Sequence, residues 1–151
     1  MERIRIGFPV PLSSVYGTEA QEQARCAQIA VEEFNASGGL DSREAEILVR
    51  DTKHNSDLTK SIAMELIEKE RVQFMVGALS AIDMLTLSQV CSERKMIYNG
   101  ISVGDGIVSR AHRSRYVFHE GPTAFGTADS IGRYAYCHYG FRVAFLTVNS
   151  A

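Results

Sequence analysis

Two hydroxyls set among small residues are the side chains of this sequence best placed to hold another molecule. Ser80 lies in FMVGALSAID, residues 74–83, between a short apolar run and the start of a helical pattern. Ser102 lies in NGIS, residues 99–102, after a second apolar run. Small residues around a lone hydroxyl let a ligand approach the backbone. The unpaired N–H groups at a strand end and a helix start then receive a carboxylate or another small polar group. A plain tight turn explains the first segment equally well. The same small-plus-hydroxyl chemistry in Gly100, Ile101 and Ser102 tips the reading toward a site.

Covalent and metal chemistry find less support. Ser80 has no G-x-S-x-G elbow around it and no evident base. The glycines of NGISVGDG, at Gly100, Gly104 and Gly106, match neither a dinucleotide fingerprint nor a phosphate loop, and PVPLSSVYG, residues 9–17, lacks the glycines that a pyrophosphate requires. Asp51 ends a strand where a dinucleotide fold would put its ribose acceptor, but without that fingerprint it reads as a cap or turn residue. His54, His112, His119 and His138 show no metal-ligand spacing. Neither do Cys26, Cys91 and Cys137. Cys26 and Cys91 fall on apolar helix stripes and read as buried small hydrophobes. No catalytic residue, metal or cofactor is expected, and the chain does not read as an enzyme.

The elements that position the two hydroxyls follow from the hydrophobic periodicity. Strands are expected at 3–10, 45–50, 73–76 and 96–98. Between them, Ala20, Ala24, Ala27, Val31 and Phe34 mark one helical face, Leu58, Ile62 and Leu66 a second, and residues 82–94 a third helix. Gly38 and Gly39 stop the first helix; Asn55, Ser56 and Asp57 offer caps to the next. Strands separated by single helices form a parallel sheet with helices on both faces, an α/β fold. Ligands of such sheets bind outside the carboxyl ends of the strands. The loops 9–17, 77–81 and 99–106 are therefore expected to open on one edge. A further strand at 116–119, a break at Gly121-Pro122, a helix over 123–139 and a last strand at 143–147 complete the pattern.

Composition sets outer limits. With 151 residues, 45% hydrophobic and 23% charged, the chain can bury a real core. A net charge of −2 with scattered Lys and Arg gives no basic stripe, so nucleic acid is not an expected partner. The densest basic stretch, RAHRSR at 110–115, reads as a solvated loop. No window approaches the ~18 apolar residues of a membrane span, and MERIRIGFPV has no secretory apolar region.

Five stretches together resemble one family, the type I periplasmic binding proteins of branched-chain amino acid and amide or urea ABC importers. They are IGFPVPLSS, AVEEFNASGGLDSREAEILVRDTKHN, FMVGALSAID, MIYNGIS, and YVFHEGPTAFGTADSIGRYAY with RVAFLT. Acidic helix ends running into N-A-x-G-G and then a strand ending in Asp are the most specific of these features. The resemblance implies a Rossmann-like lobe, with residues 1–120 as an incomplete first lobe and 121–151 as the first helix and strand of a second, the chain stopping short of most of that second lobe. It implies that loops after the third and fourth strands hold a ligand's α-carboxylate and α-amino group. Carried over residue by residue, this points to Ser80 and Ala81, and to Gly100, Ile101 and Ser102. At Ala81 the family commonly has a second serine. An aromatic residue near the end of the first loop packs on the ligand in the family; Tyr16 could serve, whereas ungapped spacing puts Glu19 there. The implied function is extracytoplasmic capture of a small amino acid, amide or urea-like ligand for an ABC importer's membrane permease. The alternative is a cytoplasmic sensor of such ligands on the same fold.

Overall fold

The computed structural model describes residues 3–102 and 113–142. The strand expected at 143–147, the end of the third loop at 103–106 and the first half of the basic stretch at 110–112 lie outside the described residues.

Five parallel strands form one sheet in the order β2-β1-β3-β4-β5. They are β1 (Ile4–Val10), β2 (Ala45–Asp51), β3 (Phe74–Gly77), β4 (Ile97–Gly100) and β5 (Val117–His119). Helices α1 (Gly17–Ala36), α2 (Ser56–Glu68) and α3 (Ala81–Arg94) link the first four strands, and α4 (Ala124–Tyr139) follows β5. The strand order reverses between β1 and β3. At such a switch point neighbouring loops part to opposite faces of the sheet and leave a crevice at its carboxyl edge.

The even-numbered side chains of β1 face α1. Phe8, Val10 and Ala20 of α1 form one cluster, and Ile4, Val31 and Ala45 another, so α1 covers β1 and β2 on one face. The alanines of its stripe keep it close to the strands. On the opposite face α2 and α3 close the larger core, with Ile62, Leu66, Met75, Met84, Leu87 and Tyr98 all buried. Cys91 lies in this core, and burial pushes its thiol up to about 12. Cys26 is exposed, contrary to expectation, because it sits one position off the Ala24, Ala27 and Val31 stripe. Cys137 is exposed too.

The N-A-x-G-G segment has a mechanical role. Gly38 and Gly39 take φ of 104° and 67°, and their amides close on the carbonyls of Asn35 and Phe34, each at 3.0 Å. This cap turns the chain back so that Asn35 clamps the start of β2. Its Nδ2 donates to the Ala45 carbonyl at 2.9 Å and its Oδ1 accepts the Ala45 amide at 2.7 Å.

The α2/α3 core carries most of the sheet's support, and Leu66 is fully buried within it. Leu66→Ala should therefore lower unfolding free energy by about 2–5 kcal/mol, lost transfer energy plus a residual cavity, as read from urea denaturation.

Candidate functional site

The carboxyl edge is organised around the end of β3. Gly77 has φ of 120°, and a Cβ there would stand 2.9 Å from two atoms of the Phe8 ring and 3.3 Å from the Pro9 carbonyl. Only glycine combines that backbone with that approach. Its carbonyl accepts the Tyr98 hydroxyl at 3.1 Å and the Ile101 amide at 3.4 Å. Burial above all, with Cys91 and Asp83 near, pushes the Tyr98 phenol well above its ordinary range, so the hydroxyl remains a donor. Ala78 follows at φ 67°, fully buried, with its amide on the Pro9 carbonyl at 3.4 Å. A left-handed non-glycine residue costs about 1–3 kcal/mol and persists only where its surroundings over-determine it.

Ser80 then caps α3. Its Oγ accepts the Asp83 amide at 3.1 Å and its carbonyl the Met84 amide at 3.0 Å. That leaves the Ser80 hydroxyl proton and the first-turn amides of Ala81 and Ile82 as donors facing away from the helix. β4 ends in register, with Gly100 opposite Gly77. Ser102 Oγ donates to the Leu79 carbonyl at 2.8 Å and so ties the two loops together. With its proton spent, Ser102 offers only lone pairs. The two hydroxyls thus present opposite polarity, a donor at Ser80 and an acceptor at Ser102.

β5 braces this edge from outside. His119 Nε2 donates to the Ser102 carbonyl at 2.7 Å, and the Glu120 amide to the Gly100 carbonyl at 3.0 Å. Asn99 Nδ2 donates to Glu120 Oε2 at 3.0 Å, while its buried Oδ1 has no partner among the described residues.

The loops after β1 and β2 are wired in through two carboxylates. Asp83 is almost fully buried and accepts Thr59 Oγ1 at 2.7 Å and Thr52 Oγ1 at 3.3 Å, with His54 Nδ1 at 4.0 Å. Lys53 and His54 are both left-handed, which places the His54 ring edge-on to Tyr16 with centroids 5.3 Å apart. Asp51 ends β2 and anchors the turn that follows. It accepts the Ser13 hydroxyl, the Ser13 amide at 3.2 Å and the Lys53 amide at 2.9 Å. Burial works to raise its pKa, but these hydrogen bonds, the Ser13 hydroxyl first, outweigh it and hold the carboxyl below the ordinary range.

The loops carrying Ser80, Ala81, Gly100, Ile101 and Ser102 therefore lie side by side on one edge. Ile101 contributes scaffold, its amide bound to Gly77 and its side chain against the Phe8 and Val10 cluster. Tyr16 stands at the N-cap of α1, half exposed, in contact with His54; Glu19 is exposed in the first turn of α1. The network of Asp83, Thr52, Thr59 and His54 escaped the sequence reading. Its one signal was Ser80-x-x-Asp83, the spacing of a capping box, although here the Asp83 carboxylate turns to the threonines.

A profile of the periplasmic binding protein family matches residues 3–151, and the chain belongs to that family. Among curated relatives, "Leu/Ile/Val-binding protein homolog 8" of Brucella abortus is 28% identical over 130 residues, which is 85% of this chain and 32% of the relative. "Leu/Ile/Val-binding protein homolog 7" of Brucella melitensis is 32% identical over 114 residues, 75% of this chain and 28% of the relative. The chain thus spans about a third of the length of the curated relatives it matches. Among solved structures, the branched-chain amino acid transporter substrate binding protein LivJ of Streptococcus pneumoniae, in complex with isoleucine, aligns at TM-score 0.74 and 22% identity over 81% of this chain and 34% of its own. A Rhodopseudomonas palustris ABC transporter solute binding protein, in complex with 3,4-dihydroxybenzoic acid, aligns at 0.80 and 18% over 91% of this chain and 37% of its own. The fold is that of a type I periplasmic binding protein lobe. Among the described residues no helix is long and apolar enough to cross a membrane.

Asp51 yields a pH test of the loop anchorage. A carboxyl with a depressed folded-state pKa stabilises the fold fully above its unfolded value of 3.8 and loses that contribution as pH falls through the folded value. Asp51→Asn should therefore be less stable than the parent near neutrality. The gap should close as pH is lowered through and below 3.8, followed by urea midpoints across pH.

Proposed function

We propose that the chain provides the first-lobe half of a binding site that captures a small amino acid, amide or urea-like ligand, without chemical change, for delivery to an ABC importer's permease outside the cytoplasm. In this reading residues 1–120 form the first lobe and 121–151 begin the second. The observation that carries it is the paired polarity at the carboxyl edge. The free Ser80 proton and the amides of Ala81 and Ile82 suit a carboxylate or carbonyl oxygen, and the Ser102 lone pairs suit an ammonium or amide N–H. The positive end of α3 favours the anionic group. Tyr16, held by His54, supplies an apolar wall beside them. Ala81, lacking the second hydroxyl common in the family, leaves recognition there to the backbone. The names of the relatives, Leu/Ile/Val-binding proteins and importer components, support capture for import over cytoplasmic sensing.

The test is a two-dimensional amide NMR titration of the chain with leucine, isoleucine, acetamide and urea. Binding to a half site is weak, so the readout is the map of shifted signals. We expect Ser80, Ala81, Ile82 and Ser102 to shift together with at least one probe. Ser102→Ala should weaken that probe's affinity by about 1–2 kcal/mol, the worth of one hydrogen bond, and leave the fold intact. Shifts confined to other surfaces, or affinity unchanged in Ser102→Ala, would contradict the assignment.

A further inference from the structure

The loop after β2 is anchored at both ends. The Thr52 amide donates to the Val10 carbonyl at 3.0 Å, the Asn55 amide to the Thr52 carbonyl at 3.0 Å, and Asn55 Oδ1 accepts the Leu58 amide at 2.9 Å to cap α2. Between these anchors Lys53 and His54 take φ of 51° and 57° in succession. Non-glycine residues in this region persist only where their surroundings over-determine them. Glycine would adopt the same backbone at no steric cost, so the ring at position 54 is accounted for by what it touches.

It touches groups on two sides. Nδ1 stands 4.0 Å from Oδ2 of Asp83, an almost fully buried carboxylate already bonded to Thr52 and Thr59. On the other side the ring meets Tyr16, with centroids 5.3 Å apart and planes at 66°, an edge-to-face arrangement that aromatic pairs favour. The backbone of Tyr16 is held independently, its amide on Ser14 Oγ at 3.1 Å and its carbonyl receiving the Ala20 amide at 2.9 Å. Those bonds place the Tyr16 Cβ and leave the ring torsions to be set by the contact with His54. Both rings stay accessible to a ligand, with 41% of Tyr16 and 33% of the His54 side chain exposed.

Given the capture site proposed at the carboxyl edge, on which this inference rests, we propose that His54 is a positioning residue that holds the Tyr16 ring as a fixed wall. The wall selects ligands by their side chain, while Ser80 and Ser102 take the head group. Both functions hang from one residue. The Asp83 amide donates to Ser80 Oγ at 3.1 Å, where the head group is received, and the Asp83 carboxylate faces His54. The spacing between head-group donors and wall is therefore set through the loop after β2. A pre-oriented ring costs a ligand less ordering than one immobilised on binding, and that gain goes only to ligands with an apolar side chain to lay against it.

Amide and aromatic NMR spectra of the chain test this with His54→Gly and His54→Asn, both of which suit a positive φ. The Asn55 and Leu58 amide signals should stay in place and report an intact turn and cap. Nuclear Overhauser contacts between the Tyr16 and His54 rings are expected in the parent, and in both variants the Tyr16 ring signals should move toward those of a freely rotating tyrosine. Leucine and glycine share a head group and differ only in side chain. Leucine should bind each variant roughly two- to tenfold more weakly than the parent, the range of one aromatic contact, with glycine unchanged. Tyr16 ring signals identical in parent and variants, or leucine and glycine weakened alike, would overturn the proposal. So would displaced Asn55 and Leu58 signals in both variants, which would give His54 a role in the turn alone. If neither probe binds the parent, the capture reading fails and the selective wall with it, while the ring signals still decide whether His54 orients Tyr16.

Discussion

The Gly77 carbonyl is the point on which the carboxyl edge depends. It receives the Tyr98 hydroxyl from below and the Ile101 amide from the side, while the backbone around it is pressed against Phe8 and Pro9. This fixes the exit direction of β3, and with it the place where α3 starts. Ser80 caps that helix because the preceding left-handed Ala78 has already turned the chain. The Ser102 to Leu79 bond then sets the second loop against the first. The left-handed backbone at Ala78 is held within the buried core, beside Met75, Met84 and Tyr98.

Electrostatics organise the edge in two layers. Asp83 and Asp51, each satisfied by hydroxyls or amides, link the loops after β1 and β2 to the start of α3 from behind. The groups left facing outward are the unspent ones, namely the Ser80 proton, the amides at the start of α3 and the Ser102 lone pairs. Burying a carboxylate such as Asp83 is costly unless it is hydrogen-bonded. Both threonines that satisfy it, one after β2 and one in α2, are themselves fully buried. The loop after β2 is thereby committed to the support of the loop after β3.

Strand and helix identities were legible in the sequence wherever apolar periodicity was long. β1, α1 and α2 are the clearest cases, and Asn55 caps α2 through the Leu58 amide, as its position suggested. Strand ends were less legible. β3 and β4 reach Gly77 and Gly100, beyond their last apolar residues, because register pairing rather than hydrophobicity carries them there. The candidate site residues were visible as small residues around a hydroxyl. What each hydroxyl has left to offer was not, because this depends on partners 23 residues away for Ser102 and three for Ser80. The Asp83 network was hidden for the same reason, since its threonines lie 31 and 24 residues earlier in the chain. Cys26 shows the limit of stripe counting on a helix whose apolar face is narrow.

Both loops are held as one unit through the Gly77 carbonyl, and native-state amide hydrogen exchange in Tyr98→Phe is the test of that linkage. Removing the hydroxyl leaves the carbonyl with the Ile101 amide alone. Exchange should become faster only at the Ala78 and Ile101 amides and the start of α3, with Met75 and the β1 amides keeping their protection relative to global stability. Exchange that is unchanged, or that rises uniformly through the sheet, would show that the edge is held by the core as a whole and would contradict it.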